Sequence, residues 1–193
     1  MVQPLGYLAE TPSQTAGPYV HIGCMPNFVG NAGIYSADLS VRPFPNGAPG
    51  TRISVTGRVL DGLGTPLRDA MLEGWQAGAD GTFGPGSAGH SRFAANFQTG
   101  EWRLETIKPG PVPMEDGRLQ APHISIWIVA RGINIGLATR IYFDDDDHSG
   151  DPLMARIEHK DRAATLIAKS TGDREYAHDI RLQGERETIF LDI

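Results

Sequence analysis

Alternation of hydrophobic and polar residues from position 51 onward is the main structural signal in this sequence. The stretch "RISVTGRVL" places Ile53, Val55 and Val59 on one face, which is the two-residue period of a half-buried strand. The turn "DGLGTPL" follows, and "LRDAMLEGWQA" then resumes as a strand, because Gly and Pro interrupt regular structure. The pattern predicts short strands joined by tight turns.

Six later stretches predict further strands: "DGTFG", "TGEWRLETI", "PHISIWIVARG", "ATRIYFDD", "YAHDIRL" and "ETIFLDI". Helical character is confined to residues 151–169, where Pro152 suits the first turn of a helix. Many strands and one short helix predict a mainly β fold, a Greek-key-like β-sandwich spanning residues 51–193.

Residues 1–50 have a different composition and predict an extended N-terminal arm. Pieces such as "TPSQTAGPYV" and "VRPFPNGAPG" are rich in Pro and Gly and show neither a helical nor an alternating period. The region is nevertheless too apolar for a solvated tail, since it contains Tyr19, Ile22, Phe28 and Tyr35. We therefore expect the arm to pack along a surface, which belongs either to this chain or to a partner chain.

Composition narrows the functional classes. The 193 residues are 40% hydrophobic and 21% charged, as in an ordinary globular domain. A formal charge of -6 argues against a nucleic-acid or anionic-membrane partner, because such partners require clustered Lys and Arg. Cys24 is the only cysteine, and the first ten residues lack the basic start and apolar run of a signal peptide. A cytoplasmic protein is expected.

Candidate chemistry begins with the strand "QAPHISIWIV", which carries His123 into a sheet. A second metal ligand two residues later would lie on the same face, but that residue is Ser125. None of the six histidines forms an HxH or HExxH pattern. From the residues alone, His123 is either a buried, hydrogen-bonded histidine, which the spacing favours, or part of a metal site.

Three separated stretches resemble the intradiol ring-cleaving dioxygenases. They are "GRVLDGLGTPLRDAMLEGWQAGADGTF", "GEWRLETIKPGPVP" and "PHISIWIVARGINIGLATRIYFDDD". The opening "ETPSQTAGPYVHIG" and the closing "YAHDIRLQGERETIFLDI" are similar to the ends of the non-catalytic α chain in two-chain members. The most specific pieces are "WQA", "TIKPGP" and "ARGIN", because the first strand and turn also occur in transthyretin-like sandwiches.

The resemblance implies that a homologous catalytic β chain holds non-haem Fe(III) through two tyrosines and two histidines. The corresponding positions here are Phe83, Val112, His123 and Ser125, and an arginine of the catalytic chain corresponds to Gln120. Phe and Val have no donor atom, and a neutral hydroxyl is a poor ligand for Fe(III). The resemblance thus implies no metal in this chain, with Fe(III) bound by the partner β chain and these four positions as vestiges.

The same resemblance implies a role at an interface. α/β protomers in a larger multimer would cleave 3,4-dihydroxybenzoate (protocatechuate) with O2 to 3-carboxy-cis,cis-muconate. Thr15, Pro18 and Tyr19 match arm residues that reach the partner's active site, and Arg131 matches an arginine at its mouth. A guanidinium there would attract the substrate carboxylate. The alternatives are a purely structural arm and, for Arg131, an ordinary salt bridge.

Two other functional classes remain open at this level. One is a transthyretin-like β-sandwich binding module without an enzymatic partner. The other is a self-sufficient single-chain dioxygenase, against which Phe83, Val112 and Ser125 argue. Stoichiometric copurification with a second chain distinguishes the expected subunit from both.

Overall fold

The structure, a computed structural model, describes residues 14–85 and 88–192. Within these ranges the chain forms eleven strands, two α-helices and one 3-10 helix. The strands are β1 (Arg52–Leu60), β2 (Met71–Gln76), β3 (His90–Ala94), β4 (Glu101–Ile107), β5 (Val112–Pro113), β6 (Leu119–Gln120), β7 (His123–Val129), β8 (Leu137–Phe143), β9 (Ile167–Gly172), β10 (Glu175–Ala177) and β11 (Ile180–Arg181). The helices are α1 (Tyr19–Cys24), α2 (Pro152–Arg156) and the 3-10 helix Lys160–Leu166. No helix among the described residues has the length and apolar character needed to cross a membrane.

Two packed layers of sheet make up a sandwich, as predicted. In one layer β1 pairs antiparallel with β4 and parallel with β10. In the other, β2 pairs antiparallel with β3 and β7, and β7 pairs antiparallel with β8. Strand β9 joins the layers, because it pairs parallel with β8 and antiparallel with β10. The hydrogen-bonded path is therefore continuous, and one core lies between the layers.

The core takes alternate residues from both layers, including Ile53, Val55, Val59, Leu104, Ile124, Ile126 and Ile128. Trp102 of β4 is fully buried and packs on Phe93, with the ring centroids 5.4 Å apart. Gly57 lies directly opposite Trp102 in the β1–β4 pairing. A Cβ at Gly57 would collide with the carbonyl oxygen of His178 and with the indole. The close approach of β1 to the link between β10 and β11 and to the Trp102 indole, all within one layer, thus requires glycine at this position.

Strand predictions from sequence are confirmed where alternation is long, in β1, β2, β4, β7 and β8. "YAHDIRL" supplies the short strands β10 and β11. The strand predicted at "DGTFG" is wrong, because the Asp80 carboxylate accepts from the Thr82 N–H and folds the segment into a turn. "ETIFLDI" contributes only an isolated bridge, between Leu191 and Ala138. Strands β3 and β9 were not predicted, since both are short and rich in polar residues.

The single helix predicted for residues 151–169 is also wrong in extent. Asp151 caps α2, its Oδ1 accepting from the N–H groups of Leu153 and Met154 at 2.8 and 2.9 Å, and Pro152 begins the helix as expected. The Lys160 ammonium then donates to the carbonyl oxygens of Met154 and Ala155, both at 2.9 Å, so α2 ends after five residues. A 3-10 helix follows, and residues 167–172 are strand β9.

The described part of the N-terminal region, residues 14–50, contains no strand and one short helix, α1. It lies against the sandwich, where Met25 packs with Met71 of β2. The Asp38 carboxylate accepts from two backbone N–H groups at 2.8 Å, which holds the segment after α1 in a compact turn. Its large rings remain exposed in this chain, with Tyr19 at 82% and Tyr35 at 45%. The boundary at residue 50 and packing on a partner stay predictions.

His178 is an ionisable group enclosed within the fold. It is 5% exposed, and its Nε2 has no hydrogen-bond partner among the described residues. Burial lowers the pKa of the imidazole to about 4. The folded protein therefore holds His178 neutral at pH 7, whereas the unfolded chain protonates it at a pKa near 6.5.

This difference predicts acid sensitivity. Between about pH 6.5 and 4 the unfolded state binds a proton that the folded state does not, so the free energy of unfolding should fall with decreasing pH by up to about 1.4 kcal/mol per pH unit. Urea unfolding of His178→Gln should give a shallower pH dependence than wild type. His159→Gln, at an exposed position, serves as the control. Equal pH slopes for wild type and His178→Gln would contradict the prediction.

Candidate functional site

His123 begins β7 and is 5% exposed, so it is buried as the sequence predicts. It does not enter the core between the layers, because Ile124 and Ile126 occupy that face of β7. His123 lies on the opposite, outer face, 5.6 Å from the ring of Tyr142. Its Nδ1 is 2.8 Å from the carbonyl oxygen of Ala121, and this acceptor fixes Nδ1–H and leaves Nε2 as the basic nitrogen.

The other three positions predicted to be vestigial are Ser125, Phe83 and Val112. Ser125 shares the face with His123 and lies opposite Trp75 of β2. The ring of Phe83 stacks on Trp75, with centroids 6.3 Å apart. Val112 is buried at 8% and pairs with Gln120 between β5 and β6. Phe83 and Ser125 are thus brought together through Trp75, and Phe83 and Val112 are hydrocarbon side chains without a donor atom.

A polar network that the sequence analysis missed occupies the same outer face. The Arg140 Nη1 donates to Gln120 Oε1 at 2.8 Å and to the Tyr142 oxygen at 3.2 Å. The Tyr142 hydroxyl donates to Asp151 Oδ1 at 3.2 Å, and Asp151 Oδ2 accepts from the Ala121 N–H at 2.8 Å. The available signal was "TRIYF", which sets Arg140 and Tyr142 two residues apart on one face of an apolar strand.

These residues do not fit iron. Burial, followed by the charge of Arg140, lowers the pKa of His123 to about 4, and burial raises the pKa of Tyr142 to about 12. The phenol therefore stays protonated, one imidazole remains, and a guanidinium stands beside it. Residues 14–85 and 88–192 hold no cluster of three or more His, Cys, Asp or Glu side chains able to bind a metal. Fe(III) favours several hard anionic donors, which this face does not offer.

A second region brings together residues predicted from the arm and from "ARGIN". The Thr15 hydroxyl accepts a hydrogen bond from the Gly132 N–H at 2.9 Å. Asp69 accepts from the Arg131 N–H at 3.2 Å, which holds the same loop from its other side. Pro18 and Arg131 both line an open cleft of about 840 Å3. Arm and loop are thus fixed to each other within one chain.

The cleft beside Arg131 exposes side chains that can bind a ligand or another chain. The Arg131 side chain is 82% exposed, and its Nε lies 3.9 Å from the Asp69 carboxylate, a separation at which an exposed pair contributes little stability. Tyr19 is adjacent in sequence to Pro18 and points its ring into solvent, at 82% exposure. The cleft itself is lined by the exposed Arg131 and by the exposed ring of Phe97, a combination suited to contacting a charged ligand or another chain.

Comparisons with known proteins give a consistent result. Residues 24–184 match the family described as Dioxygenase. The chain is 46% identical over 200 residues to the protocatechuate 3,4-dioxygenase alpha chain of Pseudomonas putida, covering 98% of this chain and 99% of the relative. It is 35% identical to the alpha chain of Burkholderia cepacia, covering 96% and 98%. It is also 35% identical to the Burkholderia cepacia beta chain, over 61% of this chain and 54% of that one.

Solved structures of dioxygenases are also similar to this chain. The dioxygenase domain of a carbohydrate-binding fusion protein from Streptomyces sp. SirexAA-E is 26% identical, with a TM-score of 0.55, covering 82% of this chain and 96% of that domain. Catechol 1,2-dioxygenase from Pseudomonas arvilla C-1 is 23% identical, with a TM-score of 0.58, covering 75% and 56%. The second similarity concerns the fold alone.

The donor set predicts that the separately purified chain holds no stoichiometric Fe(III) and lacks the visible absorption of an iron–tyrosinate site. Metal analysis and an absorption spectrum after incubation with iron measure both. A 1:1 iron content with a visible band would contradict the assignment of Phe83, Val112 and Ser125 as non-ligands.

Proposed function

Since this chain belongs to the intradiol ring-cleaving dioxygenase family, we propose that it is the α subunit of a protocatechuate 3,4-dioxygenase. It would assemble with a homologous β chain that binds the non-haem Fe(III). Together they would add both atoms of O2 to 3,4-dihydroxybenzoate, giving 3-carboxy-cis,cis-muconate. Here the α chain would shape the active site at the α/β interface and take no part as a metal ligand.

One observation carries the proposal: the chain keeps the dioxygenase sandwich while the vestigial positions hold Phe83, Val112 and Ser125. A chain of this family that lacks the metal-ligating side chains can still serve as a subunit of the enzyme if a related chain supplies those side chains. Similarity to a beta chain as well as to alpha chains supports that division of labour. A transthyretin-like binding module without an enzymatic partner would account for the fold, but not for the extended alpha-chain similarity through the arm.

Coexpression with a β-chain homologue tests the assembly. The two chains should copurify in equal amounts and consume O2 with 3,4-dihydroxybenzoate, and the α chain alone should be inactive. If the α chain is purified as a stable protein that does not bind the β chain, the binding-module alternative is favoured. Turnover by the α chain alone would support a single-chain dioxygenase instead.

We place the contact with substrate in the cleft beside Arg131. The guanidinium is exposed and only loosely paired with Asp69, so its charge is available to an incoming carboxylate. The chain as a whole is acidic, with a formal charge of -6, and a local cation offsets the repulsion of an anionic substrate. Thr15 and Pro18 lie at the same cleft or its supporting loop, and exposed Tyr19 extends the surface toward the partner.

Arg131→Ala should therefore reduce kcat/KM for 3,4-dihydroxybenzoate by roughly tenfold, corresponding to about 1.4 kcal/mol of lost interaction. Plain catechol lacks the carboxylate and should lose much less. Added salt should narrow the gap between wild type and variant if long-range attraction dominates.

Arg186→Ala, at another exposed position, provides the matched control and should leave both substrates unaffected. Equal losses for both substrates with Arg131→Ala would identify Arg131 as an interface salt bridge. No loss for either substrate would place it away from the active site.

The arm should contribute to assembly. Its exposed rings and the sandwich face around them are expected to form an interface burying more than about 2,000 Å2 in total, as is common for obligate pairs. Deleting residues 1–20 should weaken the α/β complex or its activity, as judged by gel filtration and O2 uptake.

A finer test uses the Thr15 hydroxyl. Thr15→Val keeps the side-chain shape but removes the acceptor for the Gly132 N–H, whereas Thr15→Ser retains it. The Val variant should shift toward the weaker assembly or activity expected on deletion of residues 1–20, and the Ser variant should resemble wild type.

Normal assembly and turnover by the chain that lacks residues 1–20 would show the arm to be dispensable.

A further inference from the structure

We propose that the cavity over Arg140, on the outer face of β8, is a binding site for a small organic monocarboxylate with an apolar body. The cavity has a volume of about 530 Å3, within the range of small-molecule sites. It is separate from the cleft at Arg131 and shares no lining residue with it. The inference therefore stands or falls independently of the proposed dioxygenase function.

Arg140 is the anchor of this site. It is half-buried, and its Nη1 is held by two neutral oxygens, those of Gln120 and Tyr142. Among the described residues its Nε and Nη2 make no hydrogen bond, and no carboxylate lies within 4.0 Å of the guanidinium. The Nε and Nη2 edge of a guanidinium is a fork that matches two carboxylate oxygens.

The nearest buried carboxylate cannot serve as the counterion. Asp151 Oδ1 accepts from Leu153 N, Met154 N and the Tyr142 hydroxyl, and its Oδ2 accepts from Ala121 N. The phenol of Tyr142 thus stands between the two charges. A half-buried cation without an anion is costly, and an incoming carboxylate would supply the missing charge.

Other charges at the cavity limit the ligand to a single negative charge. Arg118 pairs with Asp116 at 2.6 Å, and Arg162 lies 3.6 Å from the Glu187 carboxylate. The remaining rim carries exposed Arg156 and His159 but also the carboxylates of Glu158 and Asp192. A phosphate or dicarboxylate would meet those two like charges, whereas a monocarboxylate directed at Arg140 would not bring a second charge near them.

The hydrophobic residues that line the cavity indicate that the part of the ligand beyond its carboxylate is apolar. Besides Met114, five partly or fully buried hydrophobic residues line the cavity: Pro152, Leu153, Ile157, Ile189 and Leu191. They come from α2, the segment after it and the C-terminal segment, which together cover the outer face of β8. A flat ring or short aliphatic body could pack against these side chains while its carboxylate reaches Arg140.

Calorimetric titration of the full chain with benzoate tests the proposal. Benzoate should bind with a 1:1 stoichiometry, and benzamide, which has the same ring but no charge, should bind at least tenfold more weakly. Arg140→Gln keeps hydrogen-bonding capacity without charge and should lower the benzoate affinity at least tenfold. Arg103→Gln, an exposed arginine on β4, should leave it unchanged.

Arg140→Lys is a second variant that keeps the proposal testable if the Gln variant fails to fold. Thermal unfolding of each variant checks that the protein is folded. The Lys variant should retain part of the benzoate affinity, because it keeps the charge but loses the fork. Absence of benzoate binding, equal binding of benzamide, or unchanged affinity in a folded Arg140→Gln protein would overturn the proposal. Inorganic phosphate binding as tightly as benzoate would also overturn it, since the site would then be one for any anion.

Discussion

Strand β7 must satisfy two environments at once, and the rest of the structure depends on how it does so. Its inward residues Ile124, Ile126 and Ile128 are almost completely buried between the layers, where each buried aliphatic side chain stabilises the fold by about 1.5–3 kcal/mol. Its outward residues include His123 and Ser125. Because the two sets alternate, the outer face can change its chemistry without removing any side chain from the core.

That separation explains how the sandwich core can be kept while the outer face carries residues that do not fit iron. At the outer face, hydrogen bonds among Gln120, Arg140, Tyr142 and Asp151 supply the polar organisation of the region. Asp151 also caps α2 and binds the Ala121 N–H, so the network joins the covering segment to the sheet. Satisfied networks of this kind fix local geometry, and the Arg140 charge makes the same space unfavourable for a cation.

The surface that contains the described part of the arm differs from the outer face of β7, because it leaves a cation exposed to solvent. Thr15 and Asp69 hold the Arg131–Gly132 loop from two sides, which gives an exposed cation a defined position. Around it the chain leaves Tyr19 and other large rings in contact with solvent. Aromatic residues and arginine are enriched at protein interfaces, and this surface differs in chemistry from the Arg140 cavity: it offers an exposed cation and exposed rings, whereas the cavity offers a half-buried cation beside apolar side chains.

Sequence alone determined the mainly β sandwich, because long alternation in β1, β4, β7 and β8 reports directly on half-buried strands. It also determined the absence of ligand atoms at Phe83 and Val112, which is a property of side-chain type. Only tertiary structure decided that residues 167–172 form β9 and do not continue a helix, since β9 pairs with β8 and β10 and strand pairing acts between segments. It alone also placed Arg140 without a counterion among residues 14–85 and 88–192, because the distance from a charge to its neighbours is set by packing and is not encoded in local pattern.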